Sequence, residues 1–510
     1  MPTHDARPAA PSFLRSLGRR KSVEQAIATS HDETRSLKRN LTAWDLAVLG
    51  VSVAVGAGIF SVGATAAAHH AGPAVIVSFV IAAVVCGLAI MCYAEFASTL
   101  PIAGSAYTFS YATFGEGVAW FIGWDLILEM LLAAAVIAKF WGVYLGDAFG
   151  LFGIGLPTRV DVGPLTLDWA PVLIVAVFTA LLVLGTKLST RVNSVLTILK
   201  VGITLFVIVA GFFYVKAENY TPFVPPSQSK DGASGLHQPL VAFLTGQEPS
   251  MYGALGILSG AALVFFAFIG FDVVATTAEE ARDPQRTIPR GVLGGLALVT
   301  VLYVLVTVVV TGMVPYTELA VSESPSLTTA FVLVGAGWAG KVISLGILVG
   351  LTSVVMVLLL GLARVVFAMS RDGLLPRGLS VTHARFRTPV ALQVGLGVVV
   401  AAIAGLADVG FLEEMINIGT LSAFILVCFG VPLLRRSRPD LERGFKVPWS
   451  PVLPVLAGLA CIWLTTNLTV LTWLRFLAWI VVGAVVYLSY SRRHSLLAAP
   501  GGGHPDEAAS

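Results

Sequence analysis

The sequence predicts an all-helical integral membrane protein with about twelve transmembrane helices. Of its 510 residues, 56% are hydrophobic and only 12% are charged, so the chain has too little polar surface to cover a water-soluble globule. Apolar runs of about 20 residues recur along it, which is the length an α-helix needs to cross a bilayer. These runs lack the alternation of barrel strands, and we expect no sheet.

The apolar segments set the expected order of spans, with boundaries that follow from hydropathy alone. The first segment begins near Trp44. The others are expected over Val75–Ala94, Val118–Tyr144, Pro171–Lys187, Val192–Tyr214, Leu255–Ala278, Val292–Val314, Val342–Phe367, Val390–Leu406, Phe411–Leu434, Pro454–Leu471 and Trp473–Tyr490.

Basic residues between the segments predict the orientation of the chain. Lysine and arginine are concentrated around residues 35–39, 187–191, 282–290, 371–387, 435–446 and 492–493, which all fall on one side of the alternating spans. The opposite loops hold mainly Arg159, Lys216 and Lys230. Because cytoplasmic loops carry the excess of positive charge, we expect a multi-pass protein of the plasma (inner) membrane with both termini cytoplasmic. The polar start of the chain does not look like a cleavable signal peptide.

An internal repeat is indicated by two apolar segments that glycines interrupt, Val55–Phe60 and Phe268–Asp272. If each belongs to a repeat of five helices, the odd number forces the two halves into opposite orientations. The alternative is that these glycines only allow helices to pack closely. The repeat predicts a cytoplasmic N-terminal tail at 1–43, a first five-helix repeat at 44–215, an extracytoplasmic loop at 216–250, a second, inverted repeat at 251–434, a cytoplasmic loop and helices eleven and twelve at 435–490, and a cytoplasmic C-terminal tail at 491–510.

The four cysteines all lie inside predicted spans without the paired spacing of a zinc or redox site. We interpret Cys86, Cys92, Cys428 and Cys461 as small hydrophobic residues. No metal site and no cofactor is expected.

Short motifs extend through nearly the whole chain and carry a family resemblance. They are Val55–Phe60, Tyr93–Phe96, Pro101 with Gly104–Tyr107, Gly123–Glu129, Gly270–Asp272, Glu279–Glu280, Asp283–Arg286, Ile288–Pro289, Ala368–Gly373, Phe445–Pro448 and Thr472–Phe476. In order and spacing, the sequence resembles the amino acid–polyamine–organocation superfamily, and within it the cationic amino acid transporters. The resemblance implies a five-plus-five inverted repeat with two extra helices, alternating access, and transport of cationic (arginine, lysine, ornithine) or small neutral amino acids.

The substrate site is expected at the two interrupted helices. Unwound backbone leaves N–H groups that suit a carboxylate and carbonyls that suit an ammonium, so a zwitterion fits there. Phe271 is a candidate lid over the bound substrate. The other expected substrate-binding residues are Val55, Gly56, Ala57, Gly58, Ile59, Phe266, Ala267, Ile269 and Gly270.

Charges inside the spans are costly and therefore informative. In related proteins the glutamate that matches Glu129 lines the pocket for a cationic side chain; the alternative is a structural hydrogen-bond acceptor. Asp125 lies one turn earlier on the same face. Met356 is expected near the site, where its bulk would shorten the pocket toward alanine-sized substrates. Lys139 is expected to reach the outer interface. Asp272 is expected to cap a half-helix at the break, with a part in a gating network as the alternative.

Lys200 follows Arg191 by nine residues, about 13 Å along a helix, which is too deep for its stem to reach water easily. The resemblance implies that related proton-coupled permeases have a lysine at this position, whose ammonium occupies the cavity that sodium fills in other related transporters. Animal cationic transporters carry a neutral residue there, so Lys200 favours proton coupling over facilitated exchange. Thr352 and Ser353 are candidate hydroxyl neighbours, although such hydroxyls often bond their own helix.

Other function classes fit less well. A channel needs a continuous polar path, and these spans show isolated charges and glycine breaks. Enzyme motifs such as a Gly-x-Ser-x-Gly elbow are missing, and the positive-inside rule explains the basic loops without nucleic acid. The expected partners are an amino acid, protons and the lipid bilayer. A facilitative uniporter or exchanger, and then a polyamine permease, are the alternative functions.

Overall fold

The computed structural model describes residues 19, 41–99, 105–151, 153–155, 157–162, 165–185, 190–229, 235–271, 274, 281–322, 325–383 and 388–498. The longer apolar helices are labelled in chain order. They are α1 Ala43–Ala54, α2 Val75–Thr99, α3 Glu116–Leu151, α4 Trp169–Val183, α5 Thr190–Phe212, α6 Gly253–Val264, α7 Pro284–Met313, α8 Gly337–Arg371, α9 Val390–Leu406, α10 Val409–Ser437, α11 Val452–Thr465 and α12 Val470–Val486.

Shorter helical segments join these helices. Irregular turns continue the first span, with π-helix at Gly58–Val62 and Ala67–Ala71, α-helix at Gly63–Ala66 and 3₁₀-helix at Gly72–Ala74. The remaining short helices are Ser105–Thr113, Ala217–Tyr220, Gly235–His237, Leu240–Thr245, Phe265–Phe268, Tyr316–Val321, Leu327–Leu333, Arg377–Ser380, Tyr487–Ser491, Arg492–His494 and Leu496–Ala498.

The described residues form an all-helical, multi-pass membrane protein. Seven helical stretches in this part of the chain are long and apolar enough to cross a membrane, and five shorter apolar helices accompany them. Each helix overlaps a predicted span, and α9 has the predicted bounds Val390–Leu406. Of the long helices α3 is the most buried, and α8 and α10 pack against it, so α3 lies at the centre of the bundle.

The expectation that no sheet forms is wrong in two loops. Strands β1 Arg159–Val162 and β2 Leu165–Asp168 pair antiparallel, and β3 Gln228–Ser229 pairs antiparallel with β4 Ser250–Met251. Both ladders lie outside the apolar helices, where loop N–H and C=O groups still need hydrogen-bond partners.

Polar residues at the helix starts explain where several helices begin. The Thr42 hydroxyl accepts from the Asp45 N–H at 3.3 Å, while the Asp45 carboxylate accepts from the Thr42 N–H at 2.9 Å. This reciprocal capping box satisfies two donors at the start of α1. Asp408 caps α10 by accepting from the Gly410 N–H at 3.0 Å, and Thr469 caps α12.

Two helices are interrupted inside the bundle. After α1 ends at Ala54, Val55 leaves the helical region with φ −71° and ψ 86°, and helical structure resumes at Gly58. After the 3₁₀ turn that follows α6, Ile269 is extended with φ −67° and ψ 142°. Gly270 then has φ +114°, which a residue with a Cβ rarely adopts. The interruptions therefore coincide with the glycines that the sequence singles out.

Candidate functional site

The two helix breaks lie directly against each other. A Cβ placed on Gly58 would overlap the Cα and Cβ atoms of Ala267, and one placed on Gly270 would overlap the side chain of Val53. Each glycine thus sits where one break meets the other, and hydrogen is the only side chain that fits. The fold brings together two segments that are more than 200 residues apart in the sequence.

Tyr303 of α7 connects the two breaks. Its hydroxyl is fully buried and donates toward the carbonyl oxygen of Ala54, at the end of α1, and that of Ala267, 2.9 Å away in the turn after α6. A helix that stops in the membrane leaves carbonyls unpaired, and an unpaired carbonyl away from water is costly. One hydroxyl therefore serves carbonyls from both interrupted helices.

Further side chains hold other carbonyls near the breaks. Tyr144 of α3 donates to Phe60 O at 2.6 Å. Asn417 of α10 donates to Ala262 O at 3.0 Å and lies 3.4 Å from Leu263 O, where α6 ends. The surrounding helices α3, α7 and α10 thereby fix the positions of the interrupted segments.

A cavity of about 30 Å³ lies beside the breaks. The predicted residues that line it are Gly56, Ala57, Gly58, Phe266 and Ile269. Sequence reasoning did not identify the other lining residues, which are Val53, Ala54, Ala133, Ile137, Val354 and Leu358. The walls contributed by α3 and α8 are aliphatic.

Other predicted substrate residues lie in the breaks but do not line this cavity. They are Val55, Ile59, Ala267 and Gly270. Phe271, the candidate lid, is 1% exposed and packs against α1 at Gly50 and α7 at Gly295. In this conformation its ring fills space between α1 and α7.

Neither Glu129 nor Met356 lines the cavity. Glu129 is 3% exposed and precedes the lining residue Ala133 by one turn of α3, so it belongs to the same face. Met356 is 3% exposed and lies midway between Val354 and Leu358. Two residues of an α-helix span about 200°, which places Met356 on the opposite side of α8 from both wall residues.

Lys200 is buried beside the first break. Its side chain is 1% exposed, and its Nζ donates to the carbonyl of Ser52, in the last turn of α1, at 2.6 Å. Its stem packs on Gly350 of α8. Within the described ranges no carboxylate forms an ion pair with Lys200. Lys200 therefore joins α5 to α1 through the hydrogen bond of its ammonium, and α5 to α8 through the packing of its stem.

The two candidate hydroxyls near Lys200 bond their own helix. Thr352 donates to Leu348 O at 2.8 Å and accepts from Trp141 Nε1 at 3.1 Å. Ser353 donates to Gly350 O at 3.0 Å. The sequence left open whether these hydroxyls would face Lys200 or bond their own helix, and here both bond α8. Ser353 lies one turn from Gly350, where the Lys200 stem packs.

Lys139, expected to reach the outer interface, is buried and paired with a carboxylate in this structure. It is 6% exposed and forms an ion pair with Asp168, the residue before α4, which also pairs with Arg159 at 3.0 Å. The Asp168 carboxylate, which the β1–β2 ladder positions, is half-buried and pairs with the ammonium, so the ammonium has no need to reach water. Asp272, expected to cap a half-helix, lies outside the described residues, as do Pro101, Gly104, Glu279 and Glu280 of the motifs.

Replacing Tyr303 with phenylalanine is expected to weaken substrate binding and lower the melting temperature. The change removes the hydroxyl that the two buried carbonyls share, and loss of a donor to a buried carbonyl costs about 1–3 kcal/mol. Tyr220→Phe is the control, because its hydroxyl donates at 2.6 Å to Val308 O, away from the breaks. Thermal unfolding with and without amino acids measures both effects. Equal affinity in Tyr303→Phe and Tyr220→Phe would show that the bridge between the breaks is dispensable.

Several known proteins are similar in sequence to this chain over nearly its full length. The family profile described as amino acid permease matches residues 41–492. The chain is 42% identical over 491 residues to the branched-chain amino acid permease BcaP of Bacillus subtilis (strain 168), covering 94% of this chain and 99% of that protein. It is 39% identical over 489 residues to the methylthioribose transporter of the same organism, covering 95% of this chain and 100% of that protein.

A plant relative supports the resemblance to cationic amino acid transporters. The vacuolar cationic amino acid transporter 2 of Arabidopsis thaliana is 40% identical over 433 residues, which are 84% of this chain and 64% of that protein. The superfamily resemblance predicted from the motifs is confirmed. The protein is a multi-pass membrane transporter rather than an enzyme, and it belongs to the amino acid permease family.

Proposed function

We propose that this chain is a secondary active, proton-coupled amino acid transporter that works by alternating access in the plasma membrane. The observation that carries the proposal is the pair of interrupted helices that meet beside the cavity at Gly56–Gly58 and Phe266–Ile269. Backbone N–H groups at such breaks suit the substrate carboxylate, and backbone carbonyls suit its ammonium. In the proposed topology the chain crosses the membrane twelve times, as two inverted five-helix repeats followed by two extra helices, with both termini in the cytoplasm.

The size of the cavity supports alternating access. A single water needs about 10–15 Å³ of such space, so a volume of about 30 Å³ holds two or three waters. An amino acid is larger than this cavity. The contacts at Gly58 and Gly270 also leave no free space between the breaks. Substrate binding then requires the two interrupted helices to move apart, and that movement is the proposed opening step.

The cavity walls favour a neutral aliphatic side chain. Ala133, Ile137, Val354 and Leu358 offer only hydrocarbon to the substrate. A charged side chain held against such a wall would lose its hydration without gaining a partner. The B. subtilis relative named as a branched-chain amino acid permease supports the same choice. We therefore propose small or branched neutral amino acids as the first substrate class.

A specific observation favours cationic amino acids as the second class. Glu129 is buried one turn from the wall residue Ala133, so a long cationic side chain following that face of α3 would meet its carboxylate. The relatives named as cationic amino acid transporters support this alternative.

Proton coupling is proposed to act through Lys200. Its ammonium joins the end of α1 to α5 and α8, and α1 must move for the cavity to open. A buried ammonium without a carboxylate partner carries a large desolvation cost, so proton loss is accessible when the helices rearrange. The charged form would favour the arrangement with the Ser52 hydrogen bond, and the neutral form would release it.

Uptake of radiolabelled amino acids into proteoliposomes tests this function. We expect saturable uptake of neutral or cationic amino acids, with accumulation driven by an imposed pH gradient. Competition with the other common amino acids, a polyamine and methylthioribose gives the substrate class. Exchange without gradient-driven accumulation would replace the proposal by a facilitative exchanger. Accumulation of polyamine or methylthioribose alone would contradict the amino acid assignment.

Glu129→Gln is expected to weaken binding of arginine or lysine at least tenfold, about 1.4 kcal/mol, while changing alanine binding far less. Only the cationic side chain uses the carboxylate charge. Glu413→Gln, a buried carboxylate on α10 that does not line the cavity, is the control. Thermal shifts with each amino acid measure the affinities. Equal losses for both substrate classes would identify Glu129 as a structural hydrogen-bond acceptor instead.

A further inference from the structure

Asp125 is a buried carboxylate to which the transport cycle described above assigns no role. It lies on α3, one turn before Glu129, and is 0% exposed. Neither of its side-chain oxygens has a hydrogen-bond partner among the described residues. A carboxylate that has lost its water without gaining a donor is strongly disfavoured, whereas a neutral carboxyl group is tolerated. The buried surroundings of Asp125 therefore favour its neutral, protonated form over the carboxylate.

A glycine makes room for this carboxyl group. A Cβ placed on Gly419 of α10 would lie 3.0 Å from Asp125 Oδ1 and 3.9 Å from the Cβ of Glu129. The carboxyl group thus lies between α3 and the bare backbone of α10 at this residue. Separation of α10 from α3 at Gly419 would open a path for water to reach it.

Among the described residues no side chain forms an ion pair or a hydrogen bond with Asp125. Besides Glu129, the titratable residues of α3 are Glu116, Lys139, Tyr144 and Asp147, which are at least nine residues from Asp125. Those on the elements packed against α3 are Tyr107 and Tyr111 of the helix Ser105–Thr113, Lys341, Arg364 and Arg371 of α8, Glu413, Glu414, Cys428, Arg435 and Arg436 of α10, and Arg475 of α12. The Tyr107 hydroxyl donates to Asp372 at 2.8 Å, and Arg364 is exposed. Glu413 and Cys428 lie six and nine residues from Gly419, about 9 and 13 Å along α10. Helices α4 and α9 contribute no titratable residue.

Helix α10 links this carboxyl group to the second helix break. Asn417, two residues before Gly419, donates to Ala262 O at the end of α6. Phe424, five residues after Gly419, packs edge-on against Phe265 in the turn that follows α6, with ring centroids 5.9 Å apart. A movement of the second break would therefore act on α10 on both sides of its contact with Asp125.

We propose that Asp125 is a second proton-binding site, in addition to Lys200, that holds a proton in this conformation and releases it during transport. The inference rests on the proposed proton-coupled function. When α10 separates from α3, water reaches the carboxyl group and the proton passes to that water, which leaves a hydrated carboxylate. Reclosure requires the carboxylate to take a proton again from water. Substrate movement and protonation of Asp125 are thereby coupled through α10.

Infrared spectroscopy tests the protonation directly, without transport. The purified wild-type protein is expected to show the C=O stretch of a protonated carboxyl group, and Asp125→Asn to lack that part of the band. Substrate binding should change the same band because the breaks and α10 rearrange. A spectrum in which the protonated-carboxyl band is identical in wild type and Asp125→Asn would overturn the proposal.

Proton flux measured together with substrate flux in proteoliposomes tests the carrying role. Asp125→Asn is expected to bind and transport the amino acid but to move one proton fewer per substrate than the wild type. Asp125→Leu fills the same space without a polar group, and its proton count is measured instead if the asparagine variant does not fold. Asp147→Asn, a half-buried carboxylate at the far end of α3, is the matched control and should keep the wild-type proton count.

The outcomes separate the two proposals. A wild type that moves substrate without any proton would refute proton coupling, and with it the carrying role of Asp125, whatever the infrared band shows. A coupled wild type whose proton count is unchanged in both Asp125 variants would overturn the role of Asp125 alone. A lower count in these variants, with the control unchanged, supports the second site.

Discussion

Lys200→Met is expected to abolish accumulation of substrate driven by a pH gradient. Methionine keeps the length of the stem that packs on Gly350 but cannot donate to Ser52 O or carry a proton. A gradient of one pH unit is worth about 1.4 kcal/mol, which is about tenfold accumulation for one proton per substrate. Because the charged Lys200 is proposed to hold α1 in place, its loss is expected to let substrate cross without moving any proton, so the internal-to-external ratio should fall to about one.

The measurement compares accumulation with exchange in the same proteoliposomes. Counterflow of labelled against unlabelled substrate needs no net proton movement, so some of it should survive in Lys200→Met. Lys216→Met, at an exposed lysine, is the control and should accumulate substrate as the wild type does. A Lys200 that only holds helices together would lose folding and binding together. A well-folded Lys200→Met that still concentrates substrate on the gradient would show that the coupling lies elsewhere.

The helices could be predicted because the bilayer imposes their length on the sequence. A span needs about 20 apolar residues, and charged loops interrupt the pattern wherever the chain leaves the membrane. Helix α9 therefore occupies the predicted residues Val390–Leu406. The predicted sixth span ran on past the point where α6 ends at Val264, because hydropathy continues across a break that only backbone geometry reveals.

The cavity wall was harder to predict, because it depends on which face of a helix turns inward. Val354 and Leu358 line the cavity and are four residues apart, whereas Met356 lies between them on the other face of α8. Every residue of α8 from Val354 to Ala363 is apolar, so no polar contrast marks the inner face there. The positions of the two helix breaks could be predicted from the glycines, because glycine is required where two backbones touch.

Several contacts at the site leave no signal in the sequence. Lys200 and Tyr303 bond to backbone carbonyls, which every residue possesses, so their partners Ser52, Ala54 and Ala267 carry no distinguishing side chain. Cys92, Cys428 and Cys461 come from three helices, yet the Cys428 thiol lies within hydrogen-bonding reach of the other two. Their sequence spacing gave no hint of this cluster, because only the packing of α2, α10 and α11 creates it.

Gly58→Val is expected to abolish substrate binding without preventing membrane insertion. Its Cβ would overlap the Cα and Cβ atoms of Ala267, and backbone cannot swing aside as a flexible side chain can. The two methyl groups beyond that Cβ have few allowed rotamers and would intrude where the substrate carboxylate is expected to approach the break. Valine is apolar, so the first span remains hydrophobic enough to insert. We expect affinity to fall at least a hundredfold, about 2.7 kcal/mol.

Matched glycine variants separate this collision from other effects of losing a glycine. A Cβ on Gly56 would meet Val53 O at 3.6 Å and Leu351 Cδ2 at 3.8 Å, which are ordinary contacts, and one on Gly395 of α9 would meet nothing within 4 Å. Gly395→Ala should therefore bind as the wild type does, and Gly56→Ala should lose much less affinity than Gly58→Ala. The yield of monodisperse protein reports insertion, and substrate-dependent thermal shifts report binding. Normal affinity in Gly58→Val would mean that the substrate binds away from the two breaks, because no arrangement of valine leaves their contact intact.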